Sequence, residues 1–179
     1  MTHALDRPTP HVQRLHTVSD AQVQELTDVL IDCVAGGASV SFMHPLSRDK
    51  ALTFWQQVAA GVAVGERALM VVEDDNGIVG TVQLVLDQPE NQPHRADVSK
   101  MLVHRRGRRY GLGAALMHAA ERVARECGKS LLVLDTASDE AARLYARMGW
   151  QECGTVPDFA LLPSGGLCDT TFFYRRLIA

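Results

Sequence analysis

Residues 97–127 constrain this chain more than any other stretch. An apolar strand, DVSKMLVH, runs into a basic glycine turn, RRGRRYGLG, and on into a helix, AALMHAAERVARE. A turn that joins a strand to a helix N-terminus aims unpaired backbone N–H groups and the positive end of the helix dipole at one point. Gly111 and Gly113 remove the Cβ atoms that would hold an anion away from those N–H groups, and Arg108 and Arg109 add full positive charges. A phosphate-bearing cofactor is expected at this turn. The next apolar run, LLVLD at 131–135, is a short strand of the buried type, so the segment reads as a β-α-β crossover with its two strands parallel.

The flanking segments follow from local signals. Residues 1–10 are polar and proline-containing and read as a flexible N-terminal arm, leaving 11–179 as a single domain. A strand is expected over Val12–Val18. Ser19 with Gln22 forms a capping box, and Val23, Leu26, Val29, Leu30, Cys33 and Val34 recur at helical spacing until Gly36-Gly37. GGASVSFMHP is an irregular loop, either a connector or one wall of a pocket. A second helix begins near Ser47 and turns Leu52, Trp55 and Val58 inward. Two β-rich runs, 67–73 and 78–86, flank Asp74-Asp75-Asn76-Gly77, the composition of an antiparallel hairpin. After residue 137 a short helix to Met148, one or two strands, a polar PSGG loop and a final strand at 170–177 complete the chain.

A formal charge of -3 and a pI near 6.1 argue against general nucleic-acid binding; the arginines at 105, 106, 108 and 109 make a patch local enough for a small anion. No run approaches the ~18 apolar residues of a membrane span. Cys33, Cys127, Cys153 and Cys168 show neither CxxC spacing nor a secretory context, so free thiols and a cytoplasmic setting are expected. His44, His94 and His104 lack ligand spacing, and no metal is expected. GLGAAL followed by LLVLD has a superficial likeness to a dinucleotide fingerprint. Leu116 occupies the third glycine position, arginines precede the turn, and too little chain follows Asp135 for a doubly wound sheet.

Arg108-Arg109-Tyr110-Gly111-Leu112-Gly113 matches in full the acetyl-CoA motif of the GCN5-related N-acetyltransferases: Gln or Arg, two residues, Gly, one residue, then Gly or Ala. The strand ending in Met-Leu-Val, the crossover to LLVLD, and Tyr145 four residues before Gly149-Trp150 also resemble that family, most strongly over residues 66–155. GGASVSFM, HRADVSKMLV and VPDFALLPSGGLCDTTFFY are similar to the tabtoxin-resistance type of small-molecule acetyltransferase. The resemblance implies an α/β fold: a mixed, mainly antiparallel sheet splayed between two central parallel strands and flanked by helices. It implies that the backbone of Met101, Leu102 and Val103 pairs with the pantetheine arm of acetyl-CoA, and that the turn from Arg108 through Ala114 holds the pyrophosphate.

The activity so implied is acetyl transfer from acetyl-CoA to the amine of a small molecule, in the setting of toxin or antibiotic resistance, by a monomer or homodimer. A protein N-terminus or lysine as acceptor and a catalytically silent CoA-binding regulator are the alternatives, with a nicotinamide-dependent enzyme behind them. The leaving thiol ionises near ~8.5, so a nearby hydroxyl suffices as its acid. The family pattern puts Tyr145 in that role. Asp97 and Asp135 are the candidate bases for an ammonium acceptor; Asp135 ends a buried strand, where a carboxylate is costly unless it binds something or caps the next helix. A regular strand would turn Lys100 to the face opposite Asp97 and leave it structural or solvating.

Overall fold

A computed structural model describes residues 10–177, so the expected N-terminal arm lies, apart from Pro10, outside the described residues. The elements are β1 (Val12–Leu15), α1 (Asp20–Ala35), α2 (Arg48–Ala63), β2 (Arg67–Asp74), β3 (Gly77–Val85), β4 (Arg95–Val103), α3 (Leu112–Glu126), β5 (Leu131–Thr136), α4 (Asp139–Arg147), β6 (Gln151–Leu161) and β7 (Leu167–Arg176). They build one seven-stranded sheet in the order β1-β2-β3-β4-β5-β7-β6. Every pairing is antiparallel except β4 with β5, the crossover read from the sequence.

Period-two alternation sorts the strand side chains into two cores. Met70, Val72, Val82, Leu84, Ala96, Leu132 and Leu134 pack beneath α3, with Leu116, Met117, Ala120 and Val123 facing them. Leu69, Val71, Ile78 and Leu102 lie on the other face under α1 and α2, against Leu26, Leu30, Trp55 and Val58. The Ser19 capping box is formed: its side chain accepts from the Gln22 N–H at 3.2 Å while Gln22 accepts from the Ser19 N–H at 3.0 Å. Such a cap contributes about 1 kcal/mol, less than one buried leucine at about 1.5–3 kcal/mol, so it sets where α1 begins and the core sets that it persists.

Two boundaries and one burial pattern differ from the expectations. The first strand stops at Leu15, because β2 offers partners only to Val12–Leu15. β7 starts at Leu167, since β6 pairs with it from there. β5 is buried on one face only: Leu132 and Leu134 enter the α3 core, and Asp135 stays exposed on the face they leave.

Two irregularities position the site. The β4–β5 ladder holds only Arg95, Ala96 and Asp97 against Leu131, Leu132 and Val133, and the strands then diverge. In β4, Ser99 pairs with Gln83 and Leu102 with Thr81, so Val82 alone spans Lys100 and Met101: a β-bulge, with Lys100 at φ +51°. The extra residue inverts the alternation. Ala96 and Val98 belong to the α3 core, but past the bulge Leu102 joins the α1–α2 core while Met101 and Val103 pack toward α3.

Candidate active site

The basic turn becomes a short 3-10 turn, Arg105–Gly107, followed by Arg108–Gly111 and the start of α3. Arg109 and Gly111 both adopt left-handed backbone, at φ +67° and +76°. Among the described residues no side chain caps α3; its first intrahelical bond runs from the Ala115 N–H to the Gly111 carbonyl at 3.1 Å. The N–H groups of Leu112, Gly113 and Ala114 therefore stay available, a concave set of donors suited to an anion. Gly107 has a packing reason: a Cβ there would lie 2.5 Å from Val79 Cγ2 and 2.9 Å from Leu112 Cδ1.

The arginines divide their labour. Asp32 near the end of α1 accepts from the Arg105 backbone N–H at 2.9 Å and pairs with its guanidinium. Arg106 pairs with Asp74 at 2.9 Å and donates to the Ile78 carbonyl at 2.8 Å. Arg108 turns back: its Nε donates to the Val103 carbonyl at 3.5 Å, an oxygen that also accepts from Cys33 Sγ at 3.5 Å. Burial pushes the Cys33 thiol up to about 11, Asp32 adding to the effect. Arg109 makes no ion pair among the described residues, which leaves its charge for a ligand.

Where β4 and β5 part, the β5-facing edge of β4 beyond Asp97 has no strand partner among the described residues, and Met101, Leu102 and Val103 lie along it. Asp135, at the end of β5, lies close enough to Lys100, Asp97 and Tyr145 for its charge to be coupled to each of them. Burial raises the Asp135 pKa, the Lys100 ammonium lowers it, and Asp97 raises it again. Among the described residues no other side chain hydrogen-bonds or ion-pairs with the Asp135 carboxylate, which accepts only from its own backbone; Ser138, with Thr136 beside it, caps α4 instead. Asp97 is engaged, pairing with Arg95 and accepting from Gln88 Nε2 at 3.2 Å. Tyr145 is 5 % exposed and packs edge-on to Phe173, 5.8 Å between centroids, and against Trp150 at 6.0 Å. Burial first, then the Asp135 charge, pushes its hydroxyl to about 12.

Lys100, assigned to the opposite face by the regular-strand assumption, reaches this side because of the bulge. Its Nζ lies 3.5 Å from Ser41 Oγ and 5.5 Å from the Phe54 ring centroid, and burial, ahead of the opposing pull of Asp135, holds its pKa below the ordinary lysine value. The Gly36–Ser47 loop is tied to the β6–β7 hairpin: the His44 N–H donates to the Pro163 carbonyl at 2.9 Å, and Ser39 Oγ lies 3.9 Å from Cys168 Sγ in β7. A cavity of about 460 Å³ opens beside it, lined by Thr136, Ser138, Thr155, Cys168, Asp169 and Thr171. A second cavity of about 520 Å³, near Arg125, Gly149 and Arg175, lies at the other end of β5, away from these groups.

A free strand edge leading to a cluster of unsatisfied N–H groups fits a ligand with an amide-bearing arm and a pyrophosphate. Residues 30–150 match the model of the acetyltransferase (GNAT) family. The chain is 32 % identical over 126 residues, 69 % of its length and 73 % of the relative's, to an uncharacterized N-acetyltransferase encoded in the hisH-hisA intergenic region of Azospirillum brasilense. Its fold is similar to that of yncA, a putative acetyltransferase from Salmonella typhimurium solved with acetyl-CoA (TM-score 0.76, 21 % identity, 96 % and 95 % of the two chains covered). It is also similar to that of a phosphinothricin acetyltransferase from Sinorhizobium meliloti in complex with acetyl-CoA (TM-score 0.77, 17 % identity, 94 % and 89 % covered). The chain belongs to the GNAT family and is an acetyl-CoA-dependent N-acetyltransferase.

Proposed function

We propose that the acceptor is the amine of a small molecule, with protection against an amine-bearing toxin or antibiotic as its setting. The observation that carries this reading is the bridge from the Gly36–Ser47 loop to the β6–β7 hairpin through His44 and Pro163. It ties the loop to the hairpin tip and so restricts the acceptor side, which favours a compact amine over an extended polypeptide.

Acetyl-CoA supplies the acetyl group as a thioester with a thiol leaving group. The chain's own residues do the rest. Arg109 and the N–H groups through Ala114 hold the pyrophosphate, while the β4 edge at Met101–Val103 orients the arm so that the thioester lies in the β4–β5 opening. Asp135 receives the proton of the acceptor ammonium, directly or through water, because its carboxylate is not held by another side chain and its raised pKa brings it closer to the amine's. Asp97, already engaged with Arg95 and Gln88, contributes field. Tyr145 stays protonated at working pH. Full transfer from a hydroxyl near 12 to a thiolate near ~8.5 is uphill by roughly 5 kcal/mol, so Tyr145 acts chiefly by donating a hydrogen bond to the developing thiolate.

A thiol-release assay comparing small amines with lysine-containing and free-N-terminus peptides tests this reading. Turnover of small amines at higher kcat/KM is expected, and a peptide preference overturns it. Acetyl-CoA binding in calorimetry with no turnover of any amine would instead indicate a binding regulator.

A further inference from the structure

The sheet face under the acceptor side carries more positive charge than the chemistry so far employs. In the row that crosses the sheet, Arg67 of β2 aligns with Val85 of β3 and Asp97 of β4, and Gln83 aligns with Ser99 in the next row. Of the cations here, Arg95 is used up by Asp97 and Gln88. Arg67 is different. Its Nη1 donates to Oε1 of the buried Gln83 at 3.0 Å, and it meets no carboxylate within ion-pair distance among the described residues. Its stem runs over Gly61 of α2, where a Cβ would lie 3.0 Å from Arg67 Cδ, so the glycine lets the stem pack close against the helix.

Lys100 is the second such cation. It touches Ser41 and the Phe54 ring, and among the described residues no carboxylate is in ion-pair distance. Asp135 and Arg67 both act on its ammonium through the field, the first attracting and the second repelling. Lys100 and its contact Ser41 are two of the four non-glycine residues at left-handed φ among the described residues, at +51° and +74°; a third, Arg109, lies in the phosphate turn. Left-handed backbone at a residue with a Cβ costs about 1–2 kcal/mol, and such strain persists where the surroundings impose a placement. The register sets the two cations on one face: Gln83, which holds the Arg67 guanidinium, aligns with Ser99, the residue before Lys100, so two like charges share a partly desolvated corner. A bound anion relieves both.

We propose that Arg67 and Lys100 form an anion-binding corner for the far end of the acceptor, so that the substrate class is an amine that also carries a carboxylate-type anion. This rests on the small-amine reading above and narrows it. Asp135 addresses the ammonium end while Arg67 and Lys100 address the anionic end, and the floor between them orients the substrate toward the opening of the sheet. A simple cationic amine satisfies one end and leaves the two cations facing each other.

The test is a matched pair of acceptors with one skeleton, one ending in a free carboxylate and the other in the carboxamide, assayed by thiol release at saturating acetyl-CoA. The wild type is expected to favour the carboxylate by about tenfold or more in kcat/KM, the order of one charge-assisted hydrogen bond. Arg67→Gln and Lys100→Met should each erase most of that preference with the acetyl-CoA Kd unchanged, and Lys100→Arg should retain it. Equal use of both acceptors by the wild type, or a preference that survives in both variants, overturns the proposal and leaves the small-amine reading standing. Turnover of peptides alone overturns both. As a second measurement independent of the variants, the amine-free carboxylate of the same skeleton should inhibit competitively against the acceptor and not against acetyl-CoA; absence of inhibition counts against the corner.

Discussion

Two aspartates suggested by the same logic end in different circumstances, and their substitutions separate them. Asp97 is held by Arg95 and Gln88, whereas Asp135 has no such partner among the described residues. Asp135→Asn is expected to lower kcat/KM at least tenfold and to abolish the acid limb of its pH profile; Asp97→Asn should keep that limb and lose less activity. Stability moves the other way. The folded state raises the Asp135 pKa, so it holds the proton more tightly than the unfolded chain does, and its favourable contribution below the unfolded pKa disappears as pH rises through the folded value. Asp135→Asn should therefore raise Tm at pH 7 relative to wild type, and the gain should vanish at acidic pH, as thermal scans across pH would show. Tyr145→Phe should reduce kcat by one to two orders of magnitude, read by thiol release, and leave the acetyl-CoA Kd unchanged by calorimetry. Cys33, buried with its thiol near 11, is expected to resist alkylation in the native protein while exposed Cys153 reacts, which mass spectrometry of labelled peptides would reveal.

At the level of elements, the strand-turn-helix unit, the hairpin at 74–77 and the α1 cap were legible because their signals are local: glycine at left-handed positions, a capping pair, apolar periodicity. The destinations of the arginines were not. Arg105, Arg106 and Arg108 look alike beside Arg109, and what separates them is Asp32, Asp74 and the Val103 carbonyl, two of which are 73 and 32 positions distant. Lys100 was misplaced for a related reason. A bulge is a property of two strands in register, and one strand's sequence read with strict alternation cannot show it. The turn makes a clean prediction. Gly107→Ala should cost about 1–3 kcal/mol in denaturant unfolding and weaken acetyl-CoA binding, because its Cβ pushes into Val79 and Leu112 at the base of the turn. Gly111→Ala meets open space and should cost only about 1 kcal/mol of left-handed strain.

Across the whole molecule, a seven-stranded sheet is held together at its centre by three residue pairs, Arg95–Leu131, Ala96–Leu132 and Asp97–Val133. On one side lie β1 to β4, on the other β5, β7 and β6, with α3 connecting the two halves in sequence. Such a seam is mechanically weak: beyond Asp97 the backbone groups on that edge of β4 have, among the described residues, none of the cross-strand bonds that stiffen the rest of the sheet. A cosubstrate lying in the gap would work as a keystone, turning two loosely joined half-sheets into one cooperative body. Saturating acetyl-CoA at a hundredfold over its Kd contributes about 2.7 kcal/mol, or about 5–10 °C in Tm. Hydrogen exchange would show where that energy goes, with slowed amides at Val98–Val103 and Leu134–Thr136, the two lips of the seam, more than in either half-sheet away from it.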